Sequence, residues 1–284
     1  MKKSILSASL IALTAGAASA DGHMMAASGY ALANDGATLL VMGDLSNPAE
    51  VMAYDLDSPL KAIAWRPVTG ELLGFADGMI GTIDPMSGAM TNLGATFSDD
   101  AMIDAGAMVA FDFNNAIDAV RAVTTMGDNL VYFPEGFGDN DERAGSVLRF
   151  TNLAYADGDV NAGTTPMVFA NAYTNAINGA TASETFQYAI DAATDSLISL
   201  ANNAGTLETI GAITIDGAAV DLAPMGGFDI LSSAEGENMA YAVLQAEGAA
   251  DAGLYSIDLS TGAATTLATL AGGGVTGFAA SLGQ

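Results

Sequence analysis

The residue with the most distinctive chemistry is His23, the single histidine of the sequence. If the chain is cleaved before Asp21, its new N-terminus is Asp21-Gly22-His23, whose α-amine, two deprotonatable amides and imidazole form a square-planar nitrogen set. Cu²⁺ and Ni²⁺ prefer that geometry, and the neighbouring Met24 and Met25 offer thioethers suited to Cu⁺. Asp21 and His23 are therefore a candidate copper or nickel site, with an ordinary frayed terminus as the alternative.

Two clusters of acidic side chains are candidate calcium sites, because Ca²⁺ takes carboxylate and amide oxygens as ligands. Asp157, Asp159 and Asn161 stand at alternate positions, as in calcium-binding loops, although Val168 occupies the twelfth position, where an EF-hand carries Glu. The second cluster consists of Asp139, Asn140, Asp141 and Glu142. The alternative for both clusters is a solvated turn, since Asp and Asn are common turn residues.

Catalytic chemistry has little support in the sequence. A Ser-His-Asp enzyme needs a histidine base, and the single histidine lies beside the expected mature N-terminus. Glycoside hydrolysis needs only two carboxyl groups, but 33 acidic residues make such pairs inevitable and therefore uninformative. We expect a non-enzymatic binding or scaffold module, and the alternative is a carbohydrate-active hydrolase that uses paired carboxylates.

Residues 1–20 have the pattern of a secretory signal peptide. Two lysines precede a short apolar run, and residues 18–20 form a small-x-small cleavage site. We expect cleavage after Ala20, a flexible segment over residues 21–29 and one domain over residues 30–284. The protein is then periplasmic or secreted in a bacterium. The lack of cysteine excludes disulfides and thiolate metal sites.

The charge of the chain limits its partners. Removing Lys2 and Lys3 with the signal peptide changes the formal net charge from −26 to −28. Such a charge repels nucleic acid and anionic lipid and attracts cations, so we expect a protein or small-molecule partner, no nucleic acid and no membrane insertion. Calcium or copper would be the cofactor, if there is one. Arg66 and Arg121 are predicted to pair with nearby aspartates, because buried charges need partners.

Internal repetition is the main signal for the fold. The segment 83–91 matches 257–265, with a weaker copy at 190–196, and each is a strand, a turn and a second strand. In this turn the Asp caps N–H groups two residues on, and a Gly closes the loop in the left-handed conformation. A second unit precedes each hairpin. Its equivalent residues are spaced by 48, 60 and 57 positions and are Trp65, Phe113, Tyr173 and Ile230.

This spacing suits the four-stranded blades of a β-propeller. Candidate blades cover residues 60–94, 105–155, 166–212 and 224–270. A fifth blade combines three N-terminal strands within residues 30–54 with a C-terminal strand within 274–281, which closes the ring and removes exposed sheet edges. We therefore predict an all-β protein with a single propeller of five four-stranded blades. Six or seven blades are the alternatives.

At these repeats the chain resembles the bacterial family known as domain of unknown function 4394. The matching segments are the Arg-Pro-x-Thr-Gly turn at 66–70, the Phe-Asp-Phe-Asn strand at 111–114, the Tyr-Thr-Asn step at 173–175 and the Ile-Asp-x-x-Thr-Gly hairpin at 257–262. The chain departs from the family in an acidic insertion over 133–146 and at Asp195, where Gly is expected. The resemblance covers roughly residues 30–278, and it implies export and a repeat fold but no catalytic residues.

Overall fold

The computed structural model describes residues 26–48, 51–76, 78–270 and 273–283. Five sheets stand around one axis, and the innermost strand of each sheet packs against the innermost strands of its two neighbours. The chain is an all-β, five-bladed propeller, which confirms the predicted fold and the predicted number of blades.

The strands of each blade follow one another from the axis outwards. Blade 1 contains β24 (Gly277–Leu282), β1 (Ala27–Ala33), β2 (Thr38–Met42) and β3 (Val51–Asp55). Blade 2 contains β4 (Ala62–Arg66), β5 (Glu71–Ala76), β6 (Met79–Ile83) and β7 (Met90–Asn92). Blade 3 contains β9 (Val109–Asn114), β10 (Ala119–Thr124), β11 (Asn129–Phe133), β12 (Ser146–Arg149) and β8 (Thr96–Phe97).

Blades 4 and 5 are sheets of five and six strands. Blade 4 contains β14 (Val168–Tyr173), β15 (Gln187–Asp191), β16 (Ser196–Ala201), β17 (Thr206–Ala212) and β13 (Ala154–Tyr155). Blade 5 contains β20 (Leu222–Ala234), β21 (Glu237–Ala246), β22 (Ala252–Ile257), β23 (Ala263–Leu270), β18 (Thr214–Ile215) and β19 (Ala218–Ala219). A short 3₁₀ turn (Asn202–Ala204) joins β16 to β17. No helix among the described residues has the length and apolar character needed to cross a membrane.

Blade 1 closes the ring with strands from both ends of the domain. The C-terminal β24 pairs antiparallel with β1, with Tyr30 opposite Ala279. The closure predicted from the sequence is therefore confirmed. In each blade, the innermost strand is hydrogen-bonded to a neighbouring strand along one edge only, and its other edge faces the axis.

The repeated turns have the predicted chemistry. The Asp84 carboxylate accepts a hydrogen bond from the Met86 backbone N–H at 2.9 Å, and Asp258 accepts the equivalent bond from Ser260 at 2.8 Å. Gly88 closes the first of these turns at φ +74°, where a side chain is unfavourable. In the weaker copy Asp195 adopts the same left-handed conformation at φ +48°. The substitution of Asp for Gly therefore keeps the turn.

Three blades carry an additional short strand that was not predicted from the sequence. β8, β13 and β18 each pair in parallel with the outermost strand of their blade, β12, β17 and β23 respectively. Each lies in the connection that enters the blade from its predecessor. The added strands cover outer edges that would otherwise present unpaired N–H and C=O groups.

The core consists of clusters of buried apolar side chains between neighbouring blades, one for each of the five contacts. Between blades 2 and 3 the rings of Phe75 and Phe111 lie 6.2 Å apart. Between blades 1 and 2 the ring of Trp65 stacks on Tyr30 at 5.6 Å. These aromatic side chains are therefore packing residues, and burial between blades is what holds the ring together.

Small residues allow the innermost strands to approach closely at the axis. A Cβ on Gly227 of β20 would lie 2.2 Å from the backbone nitrogen of Phe278 in β24. Ala62, Ala110 and Gly277 line the axis beside it. The cavity that remains between the five strands has a volume of about 10 Å³, which is room for one water-sized particle.

One end of the axis is covered by residues 174–186, the connection between β14 and β15, which we call the axial cap. The axial cap hydrogen-bonds to all four other blades at the ends of their innermost strands. These bonds join Gly179 N to Pro67 O (2.9 Å), Asn115 Nδ2 to Ala180 O (3.1 Å), Ala176 N to Ser232 Oγ (3.1 Å) and Asn178 Nδ2 to Leu282 O (3.1 Å). The propeller therefore has no open channel at this end.

Candidate functional site

An open cavity of about 190 Å³ lies between blades 2 and 3, and we call it the interblade cavity. Its floor is the core side chain of Phe75, and one wall is formed by residues 98–105, the rim loop. The full lining is Phe75, Gly78, Phe97, Ala101, Met102, Ile103 and Ala105. The part of the lining that the structure describes is therefore apolar, and none of these residues has an ionisable side chain.

Two basic residues hold the rim loop in place. The Arg149 guanidinium donates to the backbone oxygen of Met102 at 3.0 Å and to that of Asp100. Lys61 Nζ donates to the backbone oxygen of Ala105 at 3.1 Å. Only five lysine or arginine residues follow position 20 in the whole sequence. Two of those five therefore position the wall of the interblade cavity.

The rim of the interblade cavity is acidic. Asp99, Asp100 and Asp104 are exposed on the rim loop, and between them the Met102 side chain is 66% exposed. The cavity is therefore an apolar recess with three exposed carboxylates on the loop that forms one of its walls. Such an arrangement suits an apolar group that is carried next to positive charge.

A second open cavity of about 130 Å³ lies between blades 1 and 2. Its lining is largely apolar, with Leu56, Leu60, Met79 and Met90, and it includes one carboxylate, that of Asp57. A pair of carboxylates flanking a substrate would need at least one more acid here. Among the described residues that line the two cavities, no such pair of acids is present.

The predicted calcium loop around Asp157 has one carboxylate whose oxygens already accept hydrogen bonds. Asp159 accepts from the Thr209 backbone N–H at 2.7 Å, from the Thr209 hydroxyl at 2.8 Å and from the Asn161 N–H at 2.8 Å. Asp157 is exposed. The three predicted ligands lie on one loop, and Asp159 and Asn161 connect this loop to Thr209 of β17. Calcium binding by the loop stays a prediction.

The second predicted calcium cluster lies in the insertion between β11 and β12. The Arg143 guanidinium donates to both oxygens of Asp141, at 2.9 and 2.6 Å, and holds the pKa of that carboxyl down at about 2. Arg143 also lies over the rings of Phe133 and Phe137 at 4.7 and 5.1 Å. Asp139 and Glu142 are exposed on either side. A role for this cluster in calcium binding stays a prediction.

The candidate copper or nickel residues, Asp21 and His23, lie outside the described residues, as do Met24 and Met25. Within the part of the chain that the structure describes, no three Asp, Glu, His or Cys side chains converge to form a metal site. The site at the mature N-terminus therefore stays a prediction.

The predicted ion pair of Arg66 is confirmed. Its guanidinium donates to both carboxylate oxygens of Asp118, at 2.8 and 2.5 Å, and links the turns of blades 2 and 3. This pairing, with burial opposing it, raises the pKa of Arg66. The carboxylate is supplied by a turn residue with left-handed backbone, φ +51°.

The predicted ion pair of Arg121 is wrong. Among the described residues, its guanidinium donates to neutral oxygens: Tyr173 Oη at 2.8 Å, Asn203 Oδ1 at 2.7 Å and Asn129 Oδ1. Arg121 is 4% exposed, and its guanidinium also lies 5.8 Å from the centre of the Phe150 ring. Amide and hydroxyl oxygens take the place of the predicted carboxylate, because blade 4 places Tyr173 and Asn203 beside the buried guanidinium. Sequence spacing carries no information on that contact between blades.

The fold and these cavities define a five-bladed β-propeller with a closed axis and shallow recesses between blades. The chain belongs to the domain of unknown function 4394 (DUF4394) family, whose model matches residues 40–279. The family resemblance found in the repeats is thereby confirmed. A comparison with curated proteins gave no match.

Several solved structures are distantly similar. An auxiliary nutrient binding protein from Bacteroides thetaiotaomicron has 12% identity and a TM-score of 0.43, over 72% of this chain and 50% of that protein, so this chain spans half of its length. A protein of unknown function from Bacteroides caccae has 8% identity and a TM-score of 0.40, over 90% and 98% of the two chains. A protein from Lactobacillus plantarum has 10% identity and a TM-score of 0.42, over 91% and 100%. These similarities are too distant to support a function.

Proposed function

We propose that this protein is an exported, non-catalytic binding module, and that its interblade cavity receives an apolar side chain of a basic protein partner. The observation that carries the proposal is the rim loop, which Arg149 and Lys61 hold in place beside an apolar recess. A preformed recess with an exposed methionine at its edge is the kind of feature into which a partner inserts an anchor residue.

The size of the interblade cavity supports a side chain as the occupant. A cavity of about 150 Å³ is sufficient for a benzene ring, whereas sites for drug-sized ligands have roughly 300–1,000 Å³. The interblade cavity, at about 190 Å³, therefore suits a single phenylalanine or leucine side chain. Among the described lining residues, a sugar ring would find no polar side chain with which to hydrogen-bond.

The charge of the chain supports a basic partner. The rim loop presents three exposed aspartates, and the mature chain has a formal charge of −28 under the expected cleavage. Opposite charge accelerates association and excludes acidic competitors. Binding should accordingly weaken as the salt concentration rises, because exposed charges are screened.

The binding proposal is tested with a short lysine-rich peptide that carries one central phenylalanine, and with the same peptide carrying alanine instead. Titration calorimetry should show that the phenylalanine peptide binds at least about tenfold more tightly, a difference of about 1.4 kcal/mol. Met102→Glu should remove this preference by placing a charge in the recess. Met126→Glu adds the same charge at an exposed turn outside the recess and is the control. Equal binding of the two peptides would refute the proposal.

The non-catalytic part of the proposal is tested separately. The purified protein is incubated with a panel of polysaccharides, and the release of reducing ends is measured. We expect none above the buffer control. Release of sugar by the protein would favour the carbohydrate-active hydrolase instead.

Export is tested by fractionation of the host bacterium, followed by N-terminal sequencing of the recovered protein. We expect the periplasmic or secreted fraction to hold a chain that begins at Asp21. Recovery from the cytoplasm with residues 1–20 still attached would contradict the proposal.

A further inference from the structure

Blades 1 and 2 differ from the other three blades at their outer edges. Among the described residues, their outermost strands, β3 and β7, pair with one neighbour only, whereas blades 3, 4 and 5 carry an additional parallel strand there. An unpaired edge presents backbone N–H and C=O groups to which a strand of another chain can add. Blade 2 is the more informative case, because the second cavity adjoins the hairpin that contains β7.

The three additional strands are bound in the same way. In each, a backbone N–H donates to the oxygen of the glycine that precedes the outermost strand of the blade: Thr96 to Gly145 (2.9 Å), Ala154 to Gly205 (3.0 Å) and Thr214 to Gly262 (3.4 Å). A second N–H donates to the oxygen two residues further along: Ser98 to Val147 (3.0 Å), Ala156 to Leu207 (2.9 Å) and Asp216 to Ala264 (2.9 Å). Two carbonyl groups at fixed positions therefore receive each added strand.

The side chains of the additional strands pack against the preceding blade. The two residues that flank the first donor are apolar in every case, and they join the apolar cluster between their own blade and the preceding one: Ala95 and Phe97, Leu153 and Tyr155, Ile213 and Ile215. An added strand thus has an apolar–x–apolar pattern. For blade 2, the corresponding interface is the one with blade 1, where the second cavity lies.

The outermost hairpin of blade 2 has the same two carbonyl positions. In the aligned repeats 83–91 and 257–265, Gly88 stands at the position of Gly262. Met90 stands at the position of Ala264. Gly88 and Met90 also line the second cavity. The acceptors that bind an added strand in blade 5 therefore have counterparts at the cavity in blade 2.

The hydrogen-bond ladder of blade 2 leaves Met90 facing outwards. The Leu93 N–H donates to the Ile80 oxygen of β6 at 2.9 Å, so the backbone groups of residues 91 and 93 face β6. Because these groups alternate in direction along an antiparallel strand, Met90 directs its N–H and C=O to the open edge.

The chain that enters blade 2 turns away before it can add a strand. The Leu56 N–H donates to the Ala37 oxygen at 2.9 Å. The Leu60 N–H donates to the Gly36 oxygen, also at 2.9 Å. These two bonds hold the connection against the turn between β1 and β2, and residues 56–58 line the second cavity. The cavity therefore lies where the entering chain leaves the edge of the blade.

We propose that this edge, formed by β7 and the second cavity, binds an extended segment of a basic partner protein. The segment runs parallel to β7, and two of its backbone N–H groups donate to the oxygens of Gly88 and Met90. One apolar side chain of its apolar–x–apolar pattern enters the second cavity. At about 130 Å³ this cavity is slightly smaller than one of about 150 Å³ that holds a benzene ring, so it suits a branched aliphatic side chain.

Charge favours a basic segment over a second copy of this chain. Asp55 and Asp57 are exposed, and Asp57 lines the second cavity. A lysine or arginine beside the apolar residues would complement these carboxylates. A second copy would instead bring its own formal charge of −28, under the expected cleavage, towards the same charge. The site is separate from the interblade cavity and does not depend on it.

The first test uses a labelled peptide, Lys-Lys-Ile-Thr-Ile-Lys-Lys, which places residues 213–215 between lysines. Fluorescence anisotropy measures its binding to the full mature chain. N-methylation of the threonine amide removes one backbone donor and should weaken binding about tenfold or more. Replacement of both isoleucines by alanine should also weaken binding about tenfold or more, because the apolar contact is lost. Equal binding of the three peptides would overturn the proposal.

The second test locates the peptide with variants of the protein. Ser58→Trp places a large ring at the second cavity, and Met90→Pro removes the outward N–H at an edge where proline is tolerated. Each should weaken binding about tenfold or more. Val160→Trp, at a residue that is 84% exposed in the loop before β14, is the control and should bind as the original chain does.

Ser58→Trp keeps the proposal testable if Met90→Pro does not fold. Ser58 does not line the interblade cavity, so undiminished binding by Ser58→Trp would show that the peptide binds elsewhere and would overturn the proposal. Sedimentation of the protein without peptide tests the choice of partner, and we expect a monomer. A dimer that Ser58→Trp dissociates would identify a second copy as the occupant and would overturn the assignment to a basic partner.

Discussion

Asn175 is the residue on which the axial cap depends most. Its side-chain oxygen accepts the Gly236 N–H at 2.8 Å, and its side-chain nitrogen donates to the Glu184 carbonyl at 2.9 Å. Its backbone N–H donates to Asn238 Oδ1 at 2.9 Å, and its carbonyl accepts from Asn115 Nδ2 at 2.8 Å. Asn175 also adopts the left-handed conformation, φ +61°. One residue thus connects blades 3, 4 and 5 over the axis.

The effect of Asn175→Ala follows from these contacts. Two side-chain hydrogen bonds are lost where the residue is 8% exposed, and each buried partner left unsatisfied costs about 1–3 kcal/mol. The left-handed conformation adds about 1 kcal/mol for alanine. The free energy of unfolding should therefore fall by about 3–7 kcal/mol. Asn175→Gly removes the conformational part and should lose about 1 kcal/mol less.

Equilibrium unfolding in urea, followed by tryptophan fluorescence, measures these differences. Asn140→Ala is the matched control, because Asn140 is left-handed as well (φ +63°) but lies exposed in the insertion between β11 and β12. It should lose about 1 kcal/mol at most. The role assigned to Asn175 is refuted if Asn175→Ala is no more destabilising than Asn140→Ala, or if glycine and alanine at position 175 differ by nothing.

Two further predictions concern packing and pH. Gly227→Ala should lower the melting temperature strongly, because its Cβ would meet backbone at 2.2 Å, whereas Gly106→Ala has no neighbour within 4 Å and should be neutral by calorimetry. Burial and a 2.5 Å hydrogen bond to Asp191 raise the pKa of Tyr155. The contribution of Tyr155 to the free energy of unfolding is therefore fully present below about pH 10. It falls as the pH rises above that value, by at most about 1.4 kcal/mol per pH unit. Tyr155→Phe should reduce that slope in urea titrations, and an unchanged slope would contradict the assignment.

The fold was predictable because the repeats encode local structure. The turn at Asp84 and its copy at Asp258 each specify a hairpin through one carboxylate and one glycine, independently of the rest of the chain. The spacing of these hairpins determines the number of blades. Closure of the ring by a C-terminal strand then follows, because an N-terminal blade without that strand would leave a sheet edge unpaired.

Contacts between blades were not predictable in the same way. β8, β13 and β18 are two residues long, which is too short for any periodicity to appear. Arg121 finds two of its three oxygen partners on blade 4, far from it in sequence. The axial cap begins at the Tyr-Thr-Asn step, which belongs to the repeat pattern, but its contacts with four other blades depend on their placement in three dimensions.

The two buried aspartates of innermost strands, Asp112 in β9 and Asp229 in β20, had a signal in the sequence that could have been used. Asp112 and Asp229 each stand between apolar residues, at the same position of two aligned repeats. A turn explains an isolated aspartate at a strand end, but no turn explains one in the middle of an innermost strand. An acid at that position must satisfy a neighbour's N–H group, bind a cation, or remain protonated. The alignment of repeats thus separates acids buried in innermost strands from surface acids, which composition alone could not do for a chain with 33 acidic residues.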